Sequence, residues 1–479
     1  MKSKDESAFQ ENKVNIKRPG TVIAATGSSN GKTLITCGLL QAMLNRGLKP
    51  VSFKCGPDYI DPMFHKKVLG VDSDNLDIFF AKEEGIRETV AKSSGDYTII
   101  EGVMGLYDGM DVKSKKASAY DVATVTNLPV ILLVDASGAG RTLISVIKGM
   151  LIDDDNKLIK GIILNKISTG FYNRFKPVIE EELERSGFGH VKCLGGIPKV
   201  QDISMDSRHL GLKLPWEIPG IKDQIEKMGS VIENNCDVDG LLKIMEDVPG
   251  ISVNRQVDIF GENESRIHPV IAVAMDEAFC FYYGENFKLL EKFGARLKYF
   301  SPIHDEKIPD GAAGLILGGG YPELFLNELG SNLTMLSSVK NAIERGMPSL
   351  AECGGFMYLH KAILDKEQNS YPMVGVIDGE CFYTPKPVRF GYMEIKGINP
   401  ITKNKCFCDI TGIKGHEFHY YDSTCNGECF VAGKPLQSNE WTCMIGDENK
   451  LWGFPHFYYG SLKDIAKTFV DRCADFGGR

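Results

Sequence analysis

Three stretches of this sequence hold residues whose types and spacing suit phosphate chemistry. Thr26-Gly27-Ser28-Ser29-Asn30-Gly31-Lys32-Thr33 follows an apolar run and opens a helical one. In such a loop, backbone N–H groups and the helix N-terminus cradle a polyphosphate, the lysine neutralises it, and a hydroxyl at the place of Thr33 can ligate Mg2+. The strict pattern starts with glycine where this chain has Thr26, so the strand-loop-helix setting carries much of the signal. The candidate ATP-binding residues are Gly27, Ser28, Gly31, Lys32 and Thr33 here, with Lys54 from the stretch that follows. Lys54-Cys-Gly-Pro-Asp58-Tyr59-Ile60-Asp61-Pro62 ends the next apolar run, with His65 just after it, and Glu101-Gly-Val-Met-Gly-Leu-Tyr-Asp108-Gly ends a third. Ligands of open α/β sheets sit beyond the carboxyl ends of the strands, so Lys54 and the carboxylates Asp58, Asp61, Glu101 and Asp108 are expected around one crevice. Three acidic clusters beside one phosphate loop exceed what turns alone require.

The second half suits nucleophilic chemistry. Ala351-Glu352-Cys353-Gly354-Gly355 follows an apolar run and precedes Phe356-Met-Tyr-Leu359, which reads as a helix. A sharp strand-to-helix turn exposes its central side chain and sets it against helix N–H groups, which makes Cys353 a candidate nucleophile. Gly318-Gly-Gly-Tyr321-Pro-Glu323, at another strand end, is expected to form the opposite wall and an oxyanion donor. A cysteine nucleophile needs a base. His456, in Gly453-Phe-Pro-His456-Phe-Tyr-Tyr459, competes for that role with His416 and His419 on the residues alone.

Elements that could position these groups follow from the hydrophobic pattern. Thr21–Ala25, Val51–Phe53, Tyr97–Ile100, Val130–Asp135 and Gly161–Leu164 are short apolar runs separated by helical stretches, as in a parallel sheet covered on both faces. Polar, acidic sequence intervenes at about 220–267. Alternation resumes at Val270–Met275, continues at Ala313–Leu317 and Ser349–Ala351, and closes near Leu451–Tyr459. The division predicted is a flexible tail over 1–19, a phosphate-loop domain over 20–220, a connector over 221–267 and a second α/β domain over 268–479.

The chain has 479 residues, 43% hydrophobic and 25% charged, with a net charge of −8. Those values fit a folded, multidomain protein and, lacking a long basic run, disfavour nucleic-acid binding. Its polar N-terminus lacks a signal-peptide core, and the apolar runs are too short for a bilayer, so a cytoplasmic protein without a membrane segment is expected. Thirteen cysteines fit reduced thiols better than a disulfide framework.

Seven blocks, in order, resemble the cobyrinic acid a,c-diamide synthase family, which includes enzymes acting on hydrogenobyrinate. They are Lys54-Cys-Gly-Pro-Asp-Tyr-Ile-Asp-Pro, Glu101-Gly-Val-Met-Gly-Leu-Tyr-Asp-Gly, Ser207-Arg-His-Leu-Gly-Leu212, Asp276-Glu-Ala-Phe-Cys-Phe-Tyr-Tyr283, Leu317-Gly-Gly-Gly-Tyr-Pro-Glu323, Ala351-Glu-Cys-Gly-Gly-Phe-Met-Tyr-Leu359 and Gly415-His-Glu-Phe-His419. The resemblance spans residue 20 to the end. It implies an N-terminal, dethiobiotin-synthetase-like P-loop NTPase domain with a parallel sheet, and a C-terminal class I glutamine amidotransferase domain of flavodoxin-like α/β fold.

The reaction implied is amidation of the a and c carboxylates of cobyrinate in cobalamin biosynthesis, through acyl phosphates, with Mg2+, ATP and L-glutamine. By the same resemblance, Thr33 and Glu101 hold Mg2+. Asp58, Asp61, Glu101 and Asp108 surround the ATP, metal and carboxylate, Tyr59 and Ile60 flank the corrinoid, and Lys54 steadies the transferred phosphoryl group. Cys353 is the glutaminase nucleophile and His456 its base. Hydrogenobyrinate or nickel sirohydrochlorin as substrate stays open, as does a homodimer. Amidation of the cobyric acid synthase type and a partition-type ATPase are weaker alternatives.

Two departures stand out. The family loop carries Gly where this chain has Ser29, and the residue two after the catalytic histidine is Tyr458. Cys406, Cys408, Cys425 and Cys429 flank His416 and His419 at spacings that would suit zinc, but those histidines belong to a family block that needs no metal, and incidental thiols are the reading preferred.

Overall fold

The computed structural model describes residues 13–200, 207–208, 211–254, 268–401 and 409–478. The chain divides into two units, Met1–Ile259 and Phe260–Arg479.

In the first unit, β1 (Lys13–Ile16) stands apart from a seven-stranded sheet. That sheet contains β2 (Gly20–Ala25), β3 (Pro50–Cys55), β4 (Ser73–Leu76), β5 (Tyr97–Glu101), β6 (Val130–Asp135), β7 (Ile159–Asn165) and β8 (Lys192–Ile197). Its order is β4-β3-β5-β2-β6-β7-β8, with every neighbouring pair parallel. Alternate residues enter opposite layers: Val22 and Ala24 pack with Val122, Ile147 and Ile179, whereas Ile23 and Ala25 pack with Leu39, Leu40 and Met43 of helix α1 (Lys32–Asn45). Burial on both faces is why these strands read as unbroken apolar runs. β2 connects to β3 in one sense along the sheet, whereas its neighbours β5 and β6 connect onward in the other, so its carboxyl end opens onto the crevice where such folds bind ligands.

Two boundaries differ from the sequence expectation. Residues 13–16 are not loose tail; β1 pairs antiparallel with β9 (Ile251–Asn254). Nor are residues 221–254, the described part of the expected connector, merely a linker. Helix α2 (Ile221–Asn235) buries Ile225, Met228 and Ile232, and packs so closely on α1 that a Cβ at Gly38 would stand 2.6 Å from Met228 Cγ. Some helix was expected there, but its apolar stripe of every third or fourth residue is narrow and the remainder polar, which hid its packing into the first unit.

The second unit is built on a six-stranded sheet. β10 (Val270–Ala274), β11 (Arg296–Phe300), β12 (Ala312–Leu317), β13 (Ser349–Glu352) and β16 (Lys450–Gly453) lie parallel in the order β11-β10-β12-β13-β16, and Ile445–Gly446 adds an antiparallel edge. Helix α3 (Gly354–Tyr358) follows β13 directly. A five-stranded antiparallel sheet includes β14 (Arg389–Ile398), β15 (Lys414–His419) and β17 (His456–Tyr458), and a separate four-stranded sheet includes His360–Leu364 and Tyr421–Ser423. The run Leu451–Tyr459 is thus two strands in two sheets. Pro455, which has no N–H to give a ladder, lies at the break. No helix among the described residues is long and apolar enough to cross a membrane, and no disulfide joins the described cysteines.

Candidate active sites

The loop between β2 and α1 turns through two left-handed residues, Ser29 at φ 61° and Gly31 at φ 86°. Gly31 caps the helix without a side chain, so the first-turn N–H groups are left for an anion. Thr26 takes the place of a glycine and contributes a brace, since Asn30 Nδ2 donates to its hydroxyl at 2.9 Å. Asn165 at the end of β7 holds the loop from the other side, Nδ2 donating to Asn30 O at 2.9 Å, and a Cβ at Gly31 would meet that amide at 2.7 Å. Lys32 Nζ donates back to Gly27 O at 2.9 Å and to Met104 O at 2.5 Å. Burial and the charge of Lys54 lower this ammonium to about 8. Gly27 is half-buried and Ser28 exposed.

Beside the loop lies a network of charges shielded from water. Lys54, on β3, stands 2.5 Å from Asp61 Oδ2 and 2.8 Å from Glu101 Oε1. Thr33 Oγ1 donates to Glu101 Oε1 at 2.7 Å and reaches Asp61 Oδ2 at 3.2 Å. The network follows from register: Lys54 and Glu101 are partners on adjacent parallel strands and end side by side. Although burial opposes charge on both, Glu101 is held well below the usual carboxylate range by Lys54 and His65, and Lys54 is raised by Asp61 and Glu101. Asp61 goes the other way, raised by burial and by the charge of Asp58. Thr33, Asp61 and Glu101 make an all-oxygen donor set, which suits a hard divalent cation such as Mg2+.

The remaining predicted acids have other immediate partners. Asp58 Oδ1 accepts the N–H groups of Ile60 and Asp61 at 2.9 and 3.2 Å, and Asn75 Nδ2 donates to Asp58 O at 2.6 Å. Asp108 Oδ2 accepts from Gly105 N at 2.8 Å and closes the turn after β5, within electrostatic reach of Lys32. Ile60 is buried and Tyr59 half-buried. Met104 and Asn165 were not foreseen, since a backbone carbonyl and an asparagine 135 residues from its loop partner leave no motif; Asn165 does share one visible signal, the end of an apolar run.

In the second unit Cys353 occupies the turn between β13 and α3 with φ 47° and ψ −106°, a conformation that side-chain-bearing residues avoid. Gly354 and Gly355 permit it: a Cβ at 355 would stand 2.1 Å from Leu317 O, and one at 354 would stand 2.9 Å from Pro322 Cδ and 3.2 Å from Gly320 N. Cys353 N donates to Gly453 O at 2.9 Å, which ties the turn to the end of β16, three residues before His456. His456 is buried against Gly319, where a Cβ would meet Cε1 at 2.1 Å. In the Gly318–Glu323 segment, Gly318 N donates to Tyr282 Oη at 2.9 Å and Tyr321 N to Ala278 O at 3.0 Å, so Gly319 and Gly320 are its oxyanion-donor candidates.

Burial suppresses charge here. It pushes the Cys353 thiol up, helped by Glu323, Glu417 and Glu352, and lowers His456 to about 3, helped by His416 and His419. Burial likewise raises Glu352 to about 8 even though Tyr459 Oη donates to it at 3.2 Å. Tyr458 lies two residues on, its ring edge-on to Tyr283 at 6.0 Å. His416 is the register partner of His456. His416 and His419 are three apart on β15 and leave opposite faces, which argues against a shared zinc. Cys406 and Cys408 lie outside the described residues, and among the described residues no group of three or more His, Cys, Asp or Glu could hold a metal ion.

Comparison with known proteins gives two domain matches. Residues 21–212 match a CobQ/CobB/MinD/ParA nucleotide binding domain, and residues 270–442 match a CobB/CobQ-like glutamine amidotransferase domain. Full-length relatives include proteins named cobyrinate a,c-diamide synthase from Caldanaerobacter subterraneus subsp. tengcongensis, 40% identical over 95% of this chain and 98% of that protein, and from Clostridium acetobutylicum, 38% identical over 94% and 99%. One from Thermoplasma volcanium is 38% identical over 96% and 98%. The chain therefore belongs to the cobyrinate a,c-diamide synthase family.

Proposed function

We propose that this protein is a cytoplasmic carbon–nitrogen ligase that converts the a and c carboxylates of cobyrinate to amides, using ATP and the side-chain amide of glutamine. The observation that carries this reading is the presence, in one chain aligned end to end with proteins of that name, of a phosphate loop beside an all-oxygen carboxylate site and a strained cysteine turn. Each supplies one half of an ATP-driven amidation.

In the first unit, the loop N–H groups and Lys32 bind the polyphosphate, and Thr33 with Glu101 and Asp61 would hold Mg2+, which neutralises phosphate charge when bound. A substrate carboxylate oxygen attacks the γ-phosphorus, ADP leaves, and the acyl phosphate forms. Lys54 opposes the negative charge gathered there, Asp58 and Asp108 shape the walls, and Tyr59 and Ile60 flank the corrinoid. Ammonia then attacks the acyl carbon and phosphate departs.

In the second unit, His456 takes the Cys353 proton as sulfur attacks the glutamine amide carbon, and returns it to the leaving nitrogen as ammonia. Water hydrolyses the glutamyl thioester. Backbone N–H groups would stabilise the oxyanion that develops on the glutamine amide.

The test is to incubate the protein with Mg-ATP, glutamine and, in parallel, cobyrinate, hydrogenobyrinate or nickel sirohydrochlorin, and to weigh the products. Two carboxylate-to-amide conversions on cobyrinate are expected. Conversion on one of the others instead keeps the reaction and changes the substrate; glutaminase and ATPase turnover with no amide on any would overturn the proposed substrate class.

A further inference from the structure

His65 is fully buried, at the start of a π-helical turn, Phe64–Val68, and beyond its effect on the charge of Glu101 has no role in the account above. Such turns carry one residue more than an α-helical turn and re-aim the side chains on them. Its Nδ1 lies 3.0 Å from Ser52 Oγ and 3.2 Å from Ser73 Oγ. Ser52 and Ser73 are register partners on β3 and β4, so both hydroxyls emerge on one face and flank the same ring nitrogen. On its far side Nε2 points to Glu101 Oε2 at 3.4 Å, slightly longer than a well-formed hydrogen bond. Neither of those two atoms has a hydrogen-bond partner among the described residues.

A neutral imidazole has one N–H and one lone pair, and an ionised carboxylate only accepts. Attraction between Nε2 and Glu101 therefore requires the proton on Nε2, which leaves Nδ1 to accept from a serine hydroxyl. Both serines can donate, and Ser52 has Asp72 O at 3.3 Å as a second acceptor to turn to. A histidine that merely fills the core would satisfy both nitrogens locally; this one satisfies one and aims the other at a carboxylate. The opposite oxygen, Oε1, is already engaged by Thr33 and Lys54.

We propose that His65 is a positioning residue for Glu101: Ser52 and Ser73 fix it as the Nε2–H tautomer, and its contact with Oε2 sets the plane in which Oε1 meets Thr33 and a divalent cation. The inference rests on the reading of Glu101 as a metal-holding group. A donor behind a metal-ligating carboxylate orients the ligand, and removing such partners costs about 10- to 100-fold in metal affinity.

The experiment is a Mn2+ titration followed by electron paramagnetic resonance, with ATP present and neither glutamine nor corrinoid, so that no turnover contributes. Glu101→Gln is the reference and should weaken Mn2+ binding at least about 10-fold. His65→Asn keeps an amide near the serines but falls short of Glu101, and the expected loss is about 10- to 100-fold. His65→Gln extends an N–H toward the place of Nε2 and should restore binding to within about threefold of the unaltered protein. If Glu101→Gln weakens binding and His65→Asn does not, the positioning role is overturned while the metal reading stands. If His65→Asn and His65→Gln are equally weak, ring packing is the cause and the proposal fails. If Glu101→Gln binds Mn2+ normally, the metal reading fails and takes the proposal with it. Should the His65 variants not fold, 15N NMR of the unaltered protein decides: a protonated Nε2 with a bare Nδ1 supports the proposal, and the opposite tautomer overturns it.

Discussion

The two sites handle buried ionisable groups in opposite ways. Around the phosphate loop, Lys54 is 4% exposed at its side chain and Glu101 0%, yet they remain an ion pair because each supplies the charge the other needs. Around Cys353 the groups are as deeply buried, and the nearest opposite charge, Arg389 Nε at 3.8 Å from Glu417 Oε2, offsets only part of the burial. The thiol is pushed up, the imidazole down, and Glu352 and Glu417 up to about 8 and 7. Burial alone therefore does not decide ionisation; the partner does. The difference suits the tasks. A site for a polyanion must offer standing charge, whereas the surroundings of Cys353 offer none.

The largest effect that can break this comparison comes from each site's central residue. Cys353→Ala should abolish glutamine-dependent amidation, by at least about 10³-fold, and leave ammonia-dependent amidation in place. Lys32→Ala should remove both. Assays with either nitrogen source check this, and loss of both activities in a folded Cys353→Ala protein would refute the division of labour.

Next in size is the buried pair. Lys54→Met leaves Asp61 and Glu101 without their cation and should destabilise the first unit by about 3–5 kcal/mol, measured by urea unfolding. A cost below about 1 kcal/mol would mean that Glu101 is not ionised there.

Glu417 sharpens the contrast from the neutral side. Burial raises it from 4.5 to about 7, with Arg389 and Lys434 offsetting only part of the cost. Between those values the folded chain keeps a proton that the unfolded chain has released, so stability falls as pH rises from 4.5 to 7, and the whole deficit, about 3 kcal/mol, persists above 7. Glu417→Gln should therefore stabilise the second unit more at pH 8 than at pH 5. Equal gains at the two pH values would contradict a neutral Glu417.

The smallest effect concerns backbone strain, which both sites hold in a residue other than glycine: Ser29 at φ 61° and Cys353 at φ 47°. Cys353 must keep its side chain, but Ser29 need not. Ser29→Gly should stabilise the loop by about 0.5–1 kcal/mol, read from thermal unfolding, with no gain if the serine hydroxyl compensates for its conformation.

Much of this was legible in the residues. Parallel strands buried on both faces announce themselves as apolar runs, and the groups at their carboxyl ends, from Thr33 to Glu101 and again at Cys353, come together because strand register carries them there. The five-stranded antiparallel sheet was not legible. β14 alternates half-exposed Tyr392 and Glu394 with buried Met393 and Ile395, and its partners are short and separated by long loops. His456 was picked out, yet its placement at a strand end missed the change of sheet at Pro455. The candidate acids were named as one set, but only Asp61 and Glu101 reach Lys54, because Asp58 and Asp108 spend an oxygen on their own turns. His65 gave no signal of its own; its meaning depends on three strands arriving beside it.

The pairing of β1 with β9 has a consequence for synthesis. Lys13 faces Asn254 and Ile16 faces Ile251, so the first unit's opening strand waits for one encoded some 240 residues later. A nascent chain can assemble the parallel sheet progressively as it leaves the ribosome, but it cannot close this clasp until residue 254 is free. The same clasp holds Lys13 and Asn254 a strand spacing apart, which is the geometry that tolerates joining the chain there and opening it elsewhere.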